Sequence, residues 1–546
     1  MPLSTDLIAL MAKDRTRFAA ALDGNYPNKR VRQINLWNAI LTAEITTGSS
    51  FLVAMPEVVP YISVGITRET MVIPRSGKGG DRFWAYIDQR YGITAGEEAS
   101  KYVLERMRGY AIQNGAPVEL RRFSAFNVTT KTAYLSGYNG SMWRLDGKDV
   151  MSIANGEDDT FFVNDDGGKP IEPEVNENGI LFEQLVNPIS FAEAGMGGIS
   201  AQQMKRAFIV WIFALAFPDL MPTKPLLILE GAPGSGKSLA CQLLQLALLG
   251  KKKPIILSRN KEDDFGVILL RSPICVFDNL DAYIDWLPDA ICAYTTAGEW
   301  TKRKFFTDAE ELTLKPHAFI AVASKNPASF RREDTADRCI ILRLERRDQF
   351  TRAQALDDEI TQRRSQLYGE YLYYVNKIVA EIRNGVLDEK LDEGHRMADF
   401  AGLARAVGRV LEWTEEEIAD LLVAVQGEQI AFINEEDPLT DLLHRWTNYR
   451  SKHGTTNIGR EITLFALFAE LESLAQGAGM TFYKSARMLA QKLRSPHVER
   501  DFIVQMFAPD GQKSYRIWRK DRPQLASVPM PIESITDEES VAVNEE

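Results

Sequence analysis

The chain has 546 residues, with 64 Lys and Arg against 75 Asp and Glu, a formal charge of −11. Bulk electrostatics of that sign exclude a protein coated with nucleic-acid contacts and leave any such site local. A composition of 45% hydrophobic, 25% charged and 10% aromatic residues excludes a mostly disordered or collagen-like chain, and about 150 residues per domain gives three to four domains.

Residues 1–118 read as a mainly helical N-terminal region, with Thr94-Ala95-Gly96-Glu97 as a capping box and Asn114-Gly115 as a helix stop. Residues 119–180 read as a small β-rich module and linker. Asn139-Gly140, Asp146-Gly147 and Asn155-Gly156 supply its hairpin signals, and the acidic, Pro/Gly-bearing run from Asp165 to Gly179 is expected to be a solvated connection and a boundary. From 181 to 345, helical stretches alternate with the apolar strands 226–229, 255–257, 274–277, 319–323 and 339–344, the pattern of a parallel sheet with helices on both faces. Ala207–Phe217 stops at Pro218, short of the roughly 20 residues a bilayer requires, so it is expected to be a buried helix and no membrane partner is expected.

Residues 346–435 read as helices alone. Residues 436–522 read as helices followed by β-prone runs on either side of Pro509-Asp510-Gly511, and 523–546 as a disordered acidic tail without Lys or Arg. Cys241, Cys275, Cys292 and Cys339 form no C-x-x-C pair, and the five histidines have no zinc-ligand spacing to them, which points to reduced thiols without a metal cluster. The first residues carry no export signal, so the expected location is the cytoplasm.

The strongest chemical signal is Gly231-Ala232-Pro233-Gly234-Ser235-Gly236-Lys237-Ser238, directly after the apolar strand Leu226–Leu229. It fits the phosphate-loop pattern at every fixed position. The glycines let backbone N–H groups wrap phosphate oxygens, and the helix running through Lys237, Ser238 and Leu239 aims its positive end at the same anion. Lys237 supplies charge to the β and γ phosphates and the Ser238 hydroxyl completes a Mg²⁺ shell.

About forty residues on, Ile274–Phe277 leads into Asp278, placed to hold the metal's shell with Ser238. Asn279 stands where many such enzymes have a second acid: it can orient water without taking a proton, Asp281 can be the base, or hydrolysis can be slow. Asn326, at the polar tip of the strand after His317, is the expected γ-phosphate sensor, against the alternative that Asn326-Pro327 only starts a turn. Among the arginines before the last strand, Arg338 is the first choice and Arg332 the second for a guanidinium acting on a neighbour's nucleotide. A salt bridge from Arg338 to Glu333 or Asp334 is the plain alternative.

In motif order these residues resemble AAA+ ATPases related to superfamily III helicases and to the helicase halves of phage and mobile-element primase-helicases. The likeness rests on the loop at 231–238, Asp278-Asn279-Leu280, the helix containing Cys292, the basic stretch Thr301–Lys304, Arg338-Cys339 and Arg396–Phe400. It covers about 181–430 well. The resemblance implies a P-loop AAA+ core with a helical lid, ATP with Mg²⁺, and a ring, expected to be a homohexamer, with nucleotide between subunits. It further implies a DNA helicase of a phage, mobile element or bacterium, or alternatively an ATP-driven switch or loader that unwinds nothing. A phosphoryl-transferring kinase is a third class, disfavoured by Asn326 and Arg338.

DNA contacts are expected at two places. Lys302-Arg303-Lys304, followed by Phe305-Phe306, offers phosphate contacts with adjoining aromatics, against a merely solvated basic face. Residues 481–522 carry ten Lys and Arg and four Asp and Glu, a local +6. Together with a hairpin at Asp510-Gly511 they read as a winged-helix-like domain, which serves either DNA or protein binding.

Overall fold

The computed structural model describes Lys13, Thr16, Phe18 and residues 27–520 apart from 56–57, 78, 258–261, 298–299, 304–310, 315–316, 348–351, 390–396, 436–438, 449–456, 478–481, 495–497, 499–501 and 508–512. The chain divides into two compact units, 1–433 and 434–546.

The first unit opens with helix α1 (Lys29–Thr46), started by Asn28, whose side chain accepts from the Val31 N–H. Strands β1 (Ser50–Ala54), β2 (Val59–Ser63) and β3 (Thr70–Val72) follow, then α2 (Asp81–Tyr91), α3 (Glu98–Asn114) and β4 (Ala116–Val118). They form a sheet in the order β3-β2-β1-β4, so the region read as mainly helical is mixed α/β. The reason is burial. β1 and β2 are covered on both faces and carry no polar alternation, and an unbroken apolar run cannot be told from a helix by periodicity. The expected capping box is half formed: Glu97 reaches back to the Thr94 N–H and hydroxyl, while α3 begins only at Glu98.

Short strand β5 (Leu120–Arg121) precedes a four-stranded antiparallel meander, β6 (Ser124–Asn127), β7 (Thr132–Ser136), β8 (Ser141–Leu145) and β9 (Val150–Ala154), and β10 (Phe161–Phe162) returns to pair with β5. Asn139-Gly140 and Asp146-Gly147 make the meander's tight turns. Asn155-Gly156 instead leads into a short 3-10 turn.

Next in the chain are α4 (Ile180–Leu185), α5 (Ala201–Ala214), β11 (Leu226–Gly231), α6 (Lys237–Leu249), β12 (Pro254–Ile255), α7 (Glu262–Arg271), β13 (Ile274–Asp278), α8 (Leu287–Ala297), β14 (Trp300–Arg303), β15 (Glu311–Leu314), β16 (Phe319–Ser324), α9 (Glu333–Ala336) and β17 (Cys339–Leu344). Helices α10 (Ala353–Gln362), α11 (Arg364–Arg383), α12 (Ala398–Val410) and α13 (Glu415–Asn434) complete the unit. The central sheet is parallel, in the order β12-β13-β16-β11-β17. Its side chains alternate between two cores. Leu227 and Leu229 point with Val276, Ala321 and Ile340 toward α5, α6 and α11, while Leu226 and Ile228 point with Phe277, Val322 and Ile341 toward α7 and α8. Each fully buried Leu or Ile contributes about 1.5–3 kcal/mol. Helix α5 is the expected buried helix, with Trp211 fully enclosed and its indole N–H donating to the Pro225 carbonyl at 3.0 Å. Among the described residues no helix is long and apolar enough to cross a membrane.

The run 165–179 is not the expected solvated boundary. Arg364 on α11 donates to the carbonyls of Lys169 (2.9 Å) and Pro170 (3.1 Å), the Lys169 N–H donates to Leu249 (2.9 Å), and the Glu174 N–H donates to Ser365 (3.1 Å). Ile171 is buried in the same core as the meander residues Phe123, Leu135 and Leu145 and as Tyr368 and Tyr371 of α11. Few large side chains are needed there because the strap's backbone polar groups are satisfied by the helix it lies on.

The second unit contains α14 (Leu439–Asn448), β18 (Ile462–Thr463), α15 (Leu464–Gly477), α16 (Ala486–Lys492), β19 (Phe502–Phe507) and β20 (Ser514–Arg519). Its antiparallel sheet has the order β18-β20-β19, and Trp446, Leu467, Leu489, Phe502, Tyr515 and Ile517 form its own core. The hairpin turn expected at Pro509-Asp510-Gly511 and the tail expected at 523–546 lie outside the described residues.

Candidate nucleotide site

The loop between β11 and α6 turns on two residues with left-handed backbone, Gly234 and Gly236, both at φ 85°. At Gly231 a Cβ would meet the Leu344 carbonyl oxygen at 2.3 Å, so only glycine allows the end of β11 to lie this close to β17. Pro233 and Ala232 complete the curve, and the Ser235 N–H donates to the Ala232 carbonyl at 3.2 Å. From the far side Arg347 packs on Gly236 and donates to the Pro188 carbonyl at 2.6 Å.

The Lys237 ammonium donates to the carbonyls of Gly231 (2.6 Å) and Ala232 (3.0 Å) and to the Ser235 hydroxyl (3.3 Å). Partial burial pulls its pKa below the ordinary lysine value, against the opposing charges of Asp281, Asp278 and Glu230. A cation held by neutral carbonyls at the start of a helix suits an anionic ligand. Behind it, the Ser238 hydroxyl donates to Asp278 Oδ1 at 2.7 Å, and Leu239 continues α6 into the core. Ser238 and Asp278 fit Mg²⁺, which binds through one or two protein oxygens together with water and substrate phosphates. No denser group of His, Cys, Asp and Glu suited to a metal occurs among the described residues.

Asn279 follows at φ 58°, a left-handed conformation that Asn tolerates better than most residues, and its N–H donates to the Ala323 carbonyl at 3.0 Å. The turn returns the chain over β16. There Asp281 Oδ1 accepts from the Ser324 hydroxyl (2.6 Å) and from the N–H groups of Lys325 (2.8 Å) and Asn326 (3.3 Å). Burial would raise the Asp281 pKa, but these donors and the nearby Lys237 charge outweigh it and hold the carboxyl below its ordinary value. A carboxylate so engaged is a poor proton acceptor; its visible work is to tie the tip of β16 to the turn after β13.

β16 lies between β11 and β13, so Asn326 emerges between the phosphate loop and Asp278. The arginines beyond it go three ways. Arg331 turns inward and donates to Asn326 Oδ1 at 3.2 Å. Arg332 stays exposed, with a two-pronged bond to Asp334 (2.6 and 2.7 Å) and a 2.7 Å ion pair to Asp289 on α8. Arg338, expected first for action on a neighbour, is only 8% exposed and donates to the Asp334 carbonyl and to Cys292 Sγ. The expected salt bridge to Asp334 is made by Arg332. Sequence reasoning passed over Arg331, because three arginines in eight residues give no hint of which one faces inward.

Lys302 and Arg303 lie on β14, which pairs with β15 as a β-hairpin; Lys304, Phe305 and Phe306 lie outside the described residues, as does Arg396. In the second unit, Lys484, Arg487 and Arg494 are exposed along and beside α16. A separate cavity of about 430 Å³ lies beneath Pro273 and Phe319, at the starts of β13 and β16. Parallel strands put it at the opposite end of the sheet from the loop at 231–238, apart from the candidate site.

Comparison with solved structures gives likenesses to the NrS-1 C-terminal region (12% identity, 87% of this chain and 98% of that one, TM-score 0.42) and to the SCCmec type IV Cch active helicase (14%, 86% and 92%, TM-score 0.45). No curated protein matches the chain in sequence. Residues 194–411, from the approach to α5 through the end of α12, match the family of actinomycete integrative conjugative element replication proteins, in keeping with the resemblance to mobile-element helicase ATPases.

Proposed function

We propose that the chain is a Mg²⁺-dependent ATPase that assembles on DNA and couples ATP hydrolysis to movement along it, as a helicase in the replication of a mobile element. The observation that carries the reading is the 2.7 Å bond between Ser238 and Asp278 directly behind the glycine-rich loop, a metal-binding pair set against a phosphate cradle; the replication-protein match across 194–411 supports its context. When bound, Mg²⁺ would neutralise charge on the β and γ phosphates. The protein's part is positioning and charge stabilisation: loop N–H groups and Lys237 bind phosphate, Asn326 meets the γ-phosphate, and Asn279 orients water.

Arg332, the exposed arginine, is the better placed to reach a neighbour's nucleotide, with Arg338 second. A head-to-tail interface of that kind closes into a ring, here a hexamer. DNA would be met by the β14–β15 hairpin in the first unit. In the second, the described helices with a three-stranded sheet read as a winged helix, with Arg487 on α16 and Lys484 and Arg494 beside it offering the positive charge.

The test mixes two inactive proteins. Lys237→Ala is expected to abolish ATP binding and turnover, and Arg332→Ala to abolish turnover alone. Mixtures should regain part of the activity, and that activity should rise with single-stranded DNA. Normal turnover by pure Lys237→Ala sinks the site; mixtures that stay dead at every ratio sink action between subunits. The engaged Asp281 and the lack of an acid at 279 favour a second reading, a slow ATP-driven switch or loader. A forked duplex separates the two, since a switch shows DNA-stimulated turnover without strand separation.

A further inference from the structure

Arg331 belongs to a chain of alternating charges. Its Nη2 donates to Asn326 Oδ1 (3.2 Å) and to Glu230 Oε1 (3.1 Å), and its Nη1 donates to the Phe432 carbonyl on α13 (3.1 Å). Glu230 Oε2 accepts from Arg343 Nη1 at 3.0 Å, and Arg343 Nε donates to Glu428 Oε1 at 2.5 Å. Glu428 Oε2 accepts the Gly197 N–H at 2.7 Å. The side chains of Arg331, Glu230, Arg343 and Glu428 are 10, 9, 12 and 1% exposed. Where water is excluded such bonds strengthen one another, and losing one member strands its neighbour's charge.

A guanidinium only donates, whereas an amide has one accepting oxygen and one donating NH₂. Bonding to Arg331 therefore engages the Asn326 oxygen and fixes which way the amide faces. Glu230 is the residue before Gly231, so the same arginine also grips the root of the phosphate loop, and Phe432 and Glu428 both lie on α13.

Resting on the reading of Asn326 as the γ-phosphate sensor, we propose that Arg331 is its positioning residue, and that Glu230, Arg343 and Glu428 make the sensor's orientation depend on the seating of helix α13. Seated, α13 keeps the chain of charges intact and Asn326 turned for catalysis; displaced, it releases Arg331 and the sensor. Nucleotide turnover is thereby regulated from the helix that leads into the second unit.

The experiment uses the full chain with Arg331→Lys, Glu428→Gln, Asn326→Ala and the Glu428→Gln/Asn326→Ala double variant. Affinity for a fluorescent ATP analogue, steady-state turnover and melting temperature are measured for each. Lys keeps a charge beside Glu230 but lacks the fork that also reaches Asn326. Arg331→Lys and Glu428→Gln should hold nucleotide Kd within about twofold while turnover falls about tenfold or more, a split that general loosening would not give. The double variant should be no slower than Asn326→Ala, since both act through one group. Additive losses in the double variant, or wild-type turnover in Arg331→Lys, would overturn the proposal. Should Glu428→Gln unfold, Arg331→Lys decides by the same split between Kd and turnover. Failure of the underlying reading is separate: it appears as wild-type turnover in Asn326→Ala, or as Lys237→Ala binding nucleotide normally.

Discussion

Asn279 shows why a residue that looks like a missing acid need not be one. The position after Asp278 takes a left-handed backbone, which suits Asn, and the acid two residues on serves as a clamp whose Oδ1 receives three donors. That clamp has a pH signature. Because the folded carboxyl is held below its ordinary value, its contribution is full above about pH 4, the unfolded value, and vanishes as pH falls through the lower folded value. Asp281→Asn should cost about 1 kcal/mol at neutral pH, a modest figure because the group is exposed and screened. Melting curves of the two proteins should converge below pH 4; a gap that stays constant from pH 7 to 3 would show that charge is not the cause. The placement of the loop at 231–238, Asp278 and Asn326 was legible in the sequence because each stands at or just beyond the end of an apolar strand. The orientations of Arg331, Arg332 and Arg338 were not, since direction is decided by what α8 and α13 bring against them.

At the level of elements, legibility followed burial pattern. The central strands were readable because helices separated them, and β19 and β20 because the sequence Pro509-Asp510-Gly511 stands between them. β1 and β2 escaped because they are buried on both faces and two prolines interrupt the stretch. Helix α16 carries the clearest element-scale expectation. Arg487 on the helix and Lys484 and Arg494 just outside its two ends are all exposed. If these charges meet a phosphate backbone, Arg487→Glu with Arg494→Glu should weaken DNA binding and flatten the dependence of log K on log salt by about one unit for each phosphate no longer neutralised. An unchanged salt slope in fluorescence anisotropy would point to a protein partner for this module.

For the whole molecule, the division at 433 and the absence of one near 165–180 are separate statements about where cores end. A fragment of residues 434–546 keeps all of its own core and should fold alone, as should 1–433. A fragment of 181–433 loses the strap and meander that cover α11, uncovers Tyr368 and Tyr371, and should aggregate on expression. Cooperative melting of 181–433 with the midpoint of 1–433 would show that the strap is dispensable.

The strap has one more effect, on how force passes through the molecule. A hinge needs a segment whose backbone answers to solvent; this one is stapled by a guanidinium and two amides to the start of α11 and the far end of α6. The meander and the central sheet must therefore turn as one casting. Any movement imposed on one reaches the other at the same instant, without a joint between them to absorb it.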